Sequence, residues 1–128
     1  MIYVDTSVVL AALLAEGRRP SADFWAEPLI SSRLLEFETW TRLNARRSPE
    51  NVVEAAHRIV GCVALVEMTG IVLSRALEPF PVPVRTLDAL HLSSAAYLVA
   101  QGVRLRFATY DTRQAGAASA MKLDVFQP

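Results

Sequence analysis

Cysteine, lysine and long apolar runs are scarce in this sequence, and scarcity of two of them excludes whole classes of protein. The single cysteine, Cys62, excludes an internal disulfide and a cysteine-rich zinc site. The longest apolar run, residues 8–15, is far shorter than the ~20 residues that a membrane-spanning helix needs. The first residues also lack the basic and then apolar segments of a secretion signal. We therefore expect no membrane association and a cytoplasmic location.

The glycine pattern and the balanced charge limit the possible classes of protein further. No glycine-rich loop ending in Lys-Ser or Lys-Thr occurs, so the chain is not a P-loop enzyme. The 13 basic and 13 acidic residues cancel, which argues against strong sequence-independent attraction to nucleic acid, because that attraction grows with the phosphates neutralised. All basic residues except Lys122 are arginine, which suits phosphate but is equally explained by biased codon usage. The length of 128 residues, 52% of them apolar, predicts a single domain over residues 1–128.

Five short apolar segments bounded by turn residues predict β-strands. They cover residues 2–4, 29–31, 62–66, 104–109 and 123–126. The segments between them have helical patterns, and the first helix is expected to end near Gly17, which suits the left-handed position after a helix. Strands that alternate with helices indicate the α/β class, here a three-layer α/β/α fold around a central, mostly parallel five-stranded sheet. The common strand order 3-2-1-4-5 makes the first and fourth strands neighbours.

Two of the predicted strands lead directly into carboxylates and hydroxyls. The first is followed by Asp5, Thr6 and Ser7, and the fourth ends in Thr109, with Asp111 two residues later. In open parallel sheets, ligands bind beyond the carboxyl ends of the strands where the strand order reverses, so we expect Asp5 and Asp111 to face one crevice. The alternative is that Asp5, Thr6 or Ser7 only caps the helix that follows.

A helical segment over residues 33–47 carries two glutamates that point in opposite directions. Successive residues turn by 100° around a helix, which places Glu38 on an apolar face directed to the core and Glu36 on the solvated face beside Arg33. A carboxylate on a buried face needs a cation, a metal ion or a proton. We therefore predict a functional role for Glu38, with a simple ion pair to Arg42 as the alternative. The residues that share the Glu38 face are Leu34, Thr41 and Ala45, flanked by Leu35 and Phe37.

The opposite side of this helix carries two large apolar residues, Trp40 and Leu43. If exposed, they would form an apolar patch suited to a dimer or partner interface. A neighbouring helix of the same chain would cover them equally well.

The segment 85–101 is apolar on nearly every side, which leaves Asp88 almost no polar face to occupy. Asp88 falls in the first turn of the predicted helix, where a carboxylate also complements the helix dipole. We predict that this helix start is partly buried. His91, three residues on, could reach the same site, although a hydrogen-bonded histidine of the core is the expected role.

Four carboxylates, Asp5, Glu38, Asp88 and Asp111, are thus candidates for one site. Without cations nearby they could not all remain ionised in a dry cleft, so their convergence predicts a bound metal ion. Hard oxygen ligands favour Mg²⁺ or Mn²⁺. Such an ion activates water and stabilises the charge of a phosphodiester under attack.

Four motifs, in this order and at this spacing, resemble the PIN-domain ribonucleases and, among them, the VapC-like toxins of bacterial toxin–antitoxin pairs. They are MIYVDTS, ISSRLLEFE, TLDALHLSSA and FATYD, and the similarity covers nearly the whole chain. The resemblance implies an endoribonuclease that depends on Mg²⁺ or Mn²⁺, is usually a homodimer and is inhibited by a separately encoded antitoxin protein. Matching the motifs assigns catalysis and metal binding to Asp5, Glu38, Asp88 and Asp111, and supporting hydrogen bonds to Thr6, Ser7 and Thr109.

Two other classes of protein share part of this pattern. An aspartyl-phosphate fold also has an aspartate after its first strand, but the phosphatase pattern wants a second aspartate where Ser7 stands, and a receiver domain wants a lysine after its last strand. A non-catalytic RNA- or protein-binding module with the same fold, in which the acids are structural, stays as the alternative. Arg42, Arg46 and Arg113 are candidates for RNA binding only because they lie near the segments that carry the acids.

Overall fold

Strands and helices alternate along the chain, and the strands form one parallel sheet. In the computed structural model, which describes residues 1–128, the elements are β1 (Ile2–Val4), α1 (Thr6–Leu13), α2 (Ala22–Ala26), β2 (Leu29–Ser32), α3 (Leu34–Ala45), α4 (Glu50–Gly61), β3 (Val63–Val66), α5 (Gly70–Leu77), α6 (Thr86–Ala100), β4 (Arg106–Ala108), α7 (Thr112–Ala120) and β5 (Asp124–Phe126). The strand order is β3-β2-β1-β4-β5, with every neighbouring pair parallel. The predicted order is confirmed. No helix combines the length and the apolar character needed to cross a bilayer.

The central strand β1 is buried on both faces, because its alternate residues pack against different helical layers. Ile2 and Val4 belong to a core that includes residues of α1, α2, α3 and α4. Tyr3 belongs to a second core with residues of α6 and α7, and its ring stacks on that of Phe107 in β4 with 5.2 Å between centroids. Burial of each such side chain stabilises the fold by about 1.5–3 kcal/mol. The two cores confirm the predicted three-layer α/β/α fold.

The predicted ends of several elements were wrong by a few residues. Helix α1 ends at Leu13, the last buried residue of its core face, and Ala15 rather than Gly17 takes the left-handed conformation, with φ of 52°. Strand β4 begins at Arg106 because that residue is the one paired with Ile2 at the start of β1. The residues before Arg106 therefore have no β1 partner for a strand ladder.

The buried face of α3 is rotated from the predicted one. Leu35, Thr39 and Leu43 are fully buried, whereas Phe37, Thr41 and Ala45 are exposed. The reason is that α3 contacts α1, α4 and α6 as well as β2, so more than one side of it is covered. Trp40 also packs against the core, and its ring lies 4.5 Å from that of His57 in α4. Of the two alternatives for Trp40 and Leu43, the exposed patch is excluded and coverage within the same chain is confirmed, because Leu43 is buried in this core and Trp40 packs against it.

Candidate active site

The carboxyl ends of β1 and β4 lie side by side at the point where the strand order reverses. The backbone N–H of Asp5 donates to the carbonyl of Ala108 at 3.0 Å, which extends the pairing of the two strands to the first acid. Asp111 follows β4 by three residues at the same edge of the sheet. The fold thus brings together two segments more than 100 residues apart in sequence, as expected for a ligand site in an open parallel sheet.

Asp5 is held by side chains and does not cap α1. Its Oδ2 accepts hydrogen bonds from Ser7 Oγ at 2.7 Å and from Thr109 Oγ1 at 2.8 Å. No helix-capping bond reaches its side chain, although Asp5 stands at the N-cap position. The second oxygen, Oδ1, has no hydrogen-bond partner in the protein and lies 3.9 Å from His91 Nε2. The capping alternative is therefore wrong for Asp5, and one of its two oxygens is available to a ligand.

Asp111, by contrast, does cap a helix. Its Oδ1 accepts from the backbone N–H groups of Arg113, at 2.8 Å, and Gln114, at 3.1 Å, at the start of α7. Its own backbone N–H donates to Thr109 Oγ1 at 3.0 Å. The cap uses one carboxylate oxygen, so Oδ2 has no protein partner and Asp111 can combine a structural and a ligand role.

Glu38 reaches the same region from α3, with its side chain about one-quarter exposed. Its Oε1 accepts from Thr6 Oγ1 at 2.9 Å and lies 2.7 Å from His91 Nε2, while Oε2 has no partner. Arg42 makes no ion pair with it, so the predicted alternative was wrong. Glu36 points away and pairs with Arg33 at 3.0 Å, which agrees with the predicted separation of the two glutamates.

Asp88 lies half-buried in the first turn of α6, and no hydrogen bond reaches its carboxylate. Burial raises the pKa of Asp88, and the negative charges of Asp111, Asp5 and Glu38 raise it further, against a smaller lowering by His91. The prediction that the start of this helix is partly buried is confirmed. The mutual effect on the Asp88 pKa indicates that the four acids share one electrostatic environment.

His91 makes more contacts with the site residues than the sequence indicated. It is a buried, hydrogen-bonded core histidine, as expected, but it also contacts Glu38 and Thr6 directly. Burial acts to lower the pKa of His91, but the hydrogen bond to Glu38 and the charges of Asp5, Glu38 and Asp88 outweigh it, so the pKa is raised. The three-residue spacing from Asp88 on an otherwise apolar helix was the available signal.

The charge balance of the site is strongly negative. No arginine or lysine forms an ion pair with Asp5, Glu38, Asp88 or Asp111, and His91 is the one basic group in contact. No three His, Cys, Asp or Glu side chains are arranged as a ready-made metal-binding group. Mg²⁺ keeps several waters and is usually held by only one or two carboxylates, so an open set of unpartnered carboxylate oxygens fits such an ion by its donor chemistry.

Comparisons with known proteins agree with the observed fold. The model of the PIN domain family matches residues 2–119. Ribonuclease VapC46 of Mycobacterium tuberculosis (strain ATCC 25618 / H37Rv) is 31% identical over 99% of this chain and 97% of its own length. Ribonucleases VapC47 and VapC35 of strain CDC 1551 / Oshkosh are each 29% identical, over 88% and 100% of this chain and 86% and 97% of their own lengths. No solved structure gives a significant match.

The chain therefore belongs to the PIN domain family. Within that family it is VapC-like, since its relatives over nearly their full length carry the name Ribonuclease VapC.

Proposed function

We propose that this protein is a metal-dependent endoribonuclease that acts as the toxin of a toxin–antitoxin pair. One observation carries the proposal: Asp5 and Asp111 follow the neighbouring strands β1 and β4, where the strand order reverses, and Glu38 contacts Thr6 and His91 beside them, with His91 one turn after Asp88 on α6. No arginine or lysine forms an ion pair with these four carboxylates, and each leaves at least one oxygen without a protein partner. The names of the relatives support RNA as the substrate. The predicted single domain over residues 1–128 and cytoplasmic location stay predictions that accompany this proposal.

The chain's own residues supply a ligand set and the groups that orient it. Asp5, Glu38, Asp88 and Asp111 would hold Mg²⁺ or Mn²⁺, which, when bound, lowers the pKa of water and stabilises phosphate charge. Ser7 and Thr109 bind Asp5 Oδ2 and so direct Oδ1 outward from the pair. Thr6 does the same for Glu38 by binding Oε1. These hydroxyls fix the ligand oxygens before a cation arrives, which lowers the cost of ordering the site.

Arginines near the acids would bind the RNA backbone. Arg42 lies beside Glu38 in a groove along α3, and Arg113 is exposed at the start of α7 next to Asp111. Arg46 is exposed at the end of α3. Each guanidinium could contact a phosphate in two places, as this group does in many nucleic-acid complexes. Local arginines would thus compensate for the zero net charge of the chain.

Protein partners are the third part of the proposal. The groove beside Glu38 is open and partly apolar, with Phe37 61% and Leu87 46% exposed, and an inhibitory antitoxin would cover it. Helix α5 also exposes Ile71 and Leu77, which would suit a homodimer interface. Light scattering of the purified chain tests the dimer. Co-purification with a candidate antitoxin that is co-expressed with the chain, and loss of that complex in Phe37→Asp, tests the antitoxin.

RNA cleavage tests the enzymatic part. The purified protein is incubated with total RNA and with a defined transfer RNA in Mg²⁺, Mn²⁺ or a chelator, beside the variants Asp5→Asn and Asp124→Asn. Asp124 is exposed on β5, so its substitution controls for the loss of one carboxylate. We expect discrete cleavage that needs metal and Asp5 and survives Asp124→Asn.

Cleavage that persists in the chelator or in Asp5→Asn contradicts the metal-dependent mechanism. RNA that is bound but never cut, with or without metal, favours the non-catalytic binding module instead.

A further inference from the structure

Four elements of the fold meet at one side chain that is not among the four acids: the imidazole of His91 in α6. It is 1% exposed, and both of its ring nitrogens have partners. Nδ1 lies 2.9 Å from Tyr3 Oη in β1. Nε2 lies 2.7 Å from Glu38 Oε1 in α3 and 3.1 Å from Thr6 Oγ1 in α1.

The chemistry of these partners fixes the donor at Nε2. A carboxylate can only accept, and the single hydroxyl hydrogen of Thr6 is directed at the same Oε1 of Glu38. Nε2 must therefore carry a hydrogen and donate it towards Glu38, and this holds whether or not the ring is charged. His91 and Thr6 both bind Oε1, so Oε2 alone is without a protein partner.

Tyr3 anchors the other side of the imidazole. Its ring is fully buried and stacks on Phe107, and its hydroxyl also accepts the backbone N–H of Ser32 at 3.2 Å. A hydroxyl held by two neighbours and a stacked ring has little freedom to move. The orientation of the His91 ring is therefore set from the central strand and transmitted to Glu38.

We infer that His91, held by Tyr3, is a positioning residue that aims the Glu38 carboxylate and leaves Oε2 for a divalent cation. The inference rests on the proposed function, because it takes Glu38 as a metal ligand. Outer hydrogen bonds to ligating groups typically contribute about 10- to 100-fold in metal affinity or activity. Loss of the His91 donor should therefore weaken metal binding without removing any ligand.

Manganese titration by calorimetry or electron paramagnetic resonance tests this role without RNA. His91→Leu removes the donor, and His91→Gln restores an N–H near the Nε2 position. Leu98→Ala, at the far end of α6, controls for a loss of core packing away from the site. We expect the Mn²⁺ dissociation constant to rise about 10- to 100-fold in His91→Leu. His91→Gln should recover part of the loss, and Leu98→Ala should leave the constant unchanged.

A purely structural histidine would give a different result. Equal Mn²⁺ affinity in wild type and His91→Leu, or an equal loss in Leu98→Ala, overturns the inference. If the wild type itself binds no Mn²⁺, the proposed metal site fails first and the inference falls with it. The two failures are therefore distinguishable.

Tyr3→Phe gives a second arm if His91→Leu does not fold. This variant keeps the stacked ring and removes only the hydroxyl that holds Nδ1, so we expect about a fivefold weaker Mn²⁺ affinity, the size of one hydrogen bond. Nitrogen-15 NMR of the ring gives an independent readout, because the chain has only one other histidine, His57, which His57→Gln removes. A ring with hydrogen on Nδ1 and none on Nε2 contradicts the inference.

Discussion

Two groups of acidic residues lie at the same edge of the sheet, and only one of them has an arginine partner. At the ends of β2 and β3, Arg33 lies between Glu36 and Glu67 and bonds to both, at 3.0 Å in each case. At the ends of β1 and β4, Asp5, Glu38, Asp88 and Asp111 have no arginine or lysine partner. In the first group, one arginine bonds to both acids at the protein surface. The second keeps a negative charge that a ligand must neutralise, and this difference is the main evidence for a site.

The same contrast separates the two glutamates of α3. Glu36 and Glu38 are two residues apart, yet one is paired locally with Arg33 and the other contacts Thr6 and His91, 32 and 53 residues away. Local ion pairs of this kind need only neighbouring residues, whereas Glu38 depends on the whole fold for its partners. Substitutions at these positions should therefore have very different effects.

The largest effect is expected from Glu38→Gln. We predict more than about a 100-fold loss of RNA cleavage, since even residues that only orient a metal ligand contribute 10- to 100-fold. Glu36→Gln, on the same helix, should leave cleavage unchanged. Initial rates on one defined RNA, with circular dichroism to verify folding, measure both. Equal losses in the two variants would remove the distinction between the acid groups.

Thr109→Val should give the next largest effect. The variant keeps the side-chain volume but removes the hydroxyl that donates to Asp5 Oδ2 and accepts from the Asp111 N–H. We expect a loss of cleavage of about 10-fold or more, and a lower free energy of unfolding by about 1–3 kcal/mol, because the Asp111 N–H loses its acceptor.

Ser119→Ala, which removes an exposed hydroxyl from the end of α7, is the matched control. Chemical denaturation and initial rates measure both variants. An unchanged rate of RNA cleavage in a destabilised Thr109→Val variant would show that Asp5 does not need the hydrogen bond from Thr109.

A smaller effect should appear in the stability of the metal-free protein as pH changes. Because the pKa of Asp88 is raised in the folded state, the folded chain binds the proton more tightly than the unfolded chain does. Stability should therefore fall as pH rises from the ordinary aspartate pKa through the raised one. Asp88→Asn should remove this loss and stabilise the metal-free protein at neutral pH by no more than about 1 kcal/mol, because the group is partly solvated.

Denaturation curves at several pH values, with and without Mn²⁺, measure the Asp88 effect. Added Mn²⁺ should cancel the advantage of the variant, because the wild-type carboxylate then has a cation beside it. A variant that is less stable than the wild type at neutral pH without metal would mean that neighbouring negative charges do not destabilise the ionised Asp88 carboxylate.

The smallest effect is expected at the compensated group. Arg33→Gln removes the cation that pairs with Glu36 and Glu67, but all three side chains are solvated. Exposed ion pairs contribute little to stability, so we expect the thermal midpoint hardly to move and RNA cleavage to stay unchanged. Differential scanning calorimetry measures the first quantity. A marked loss of cleavage would place Arg33 in substrate binding and weaken the comparison.

Much of the fold could be predicted from sequence because strand positions and order follow local patterns. The apolar runs that became β1 and β2, and the carboxylate after β1, needed no information beyond their neighbours. The buried face of α3 could not be predicted in this way, because Trp40 lies against His57 of α4 and Leu43 is buried in a core built from several elements, and both environments exist only in the folded chain. Helical angle alone does not say which of two sides a neighbour will cover.

The residues of the candidate site likewise differ in whether the sequence alone could place them. Asp5 and Asp111 could be placed together because parallel strands end at one edge of the sheet. The central position of His91 could not be predicted from the sequence, since its contacts to Tyr3, Thr6 and Glu38 span 53 to 88 residues of sequence. A histidine on an apolar helix predicts burial, and only the assembled fold shows what it contacts.

Calorimetric titration of the metal-free protein with Mn²⁺ tests the central claim most directly, because it asks whether the uncompensated acids bind a cation. The wild type and Glu36→Gln should bind Mn²⁺ saturably and with equal affinity, and Asp5→Asn, verified as folded by circular dichroism, should not. No saturable binding by the wild type, or equal binding by Asp5→Asn, would contradict the account.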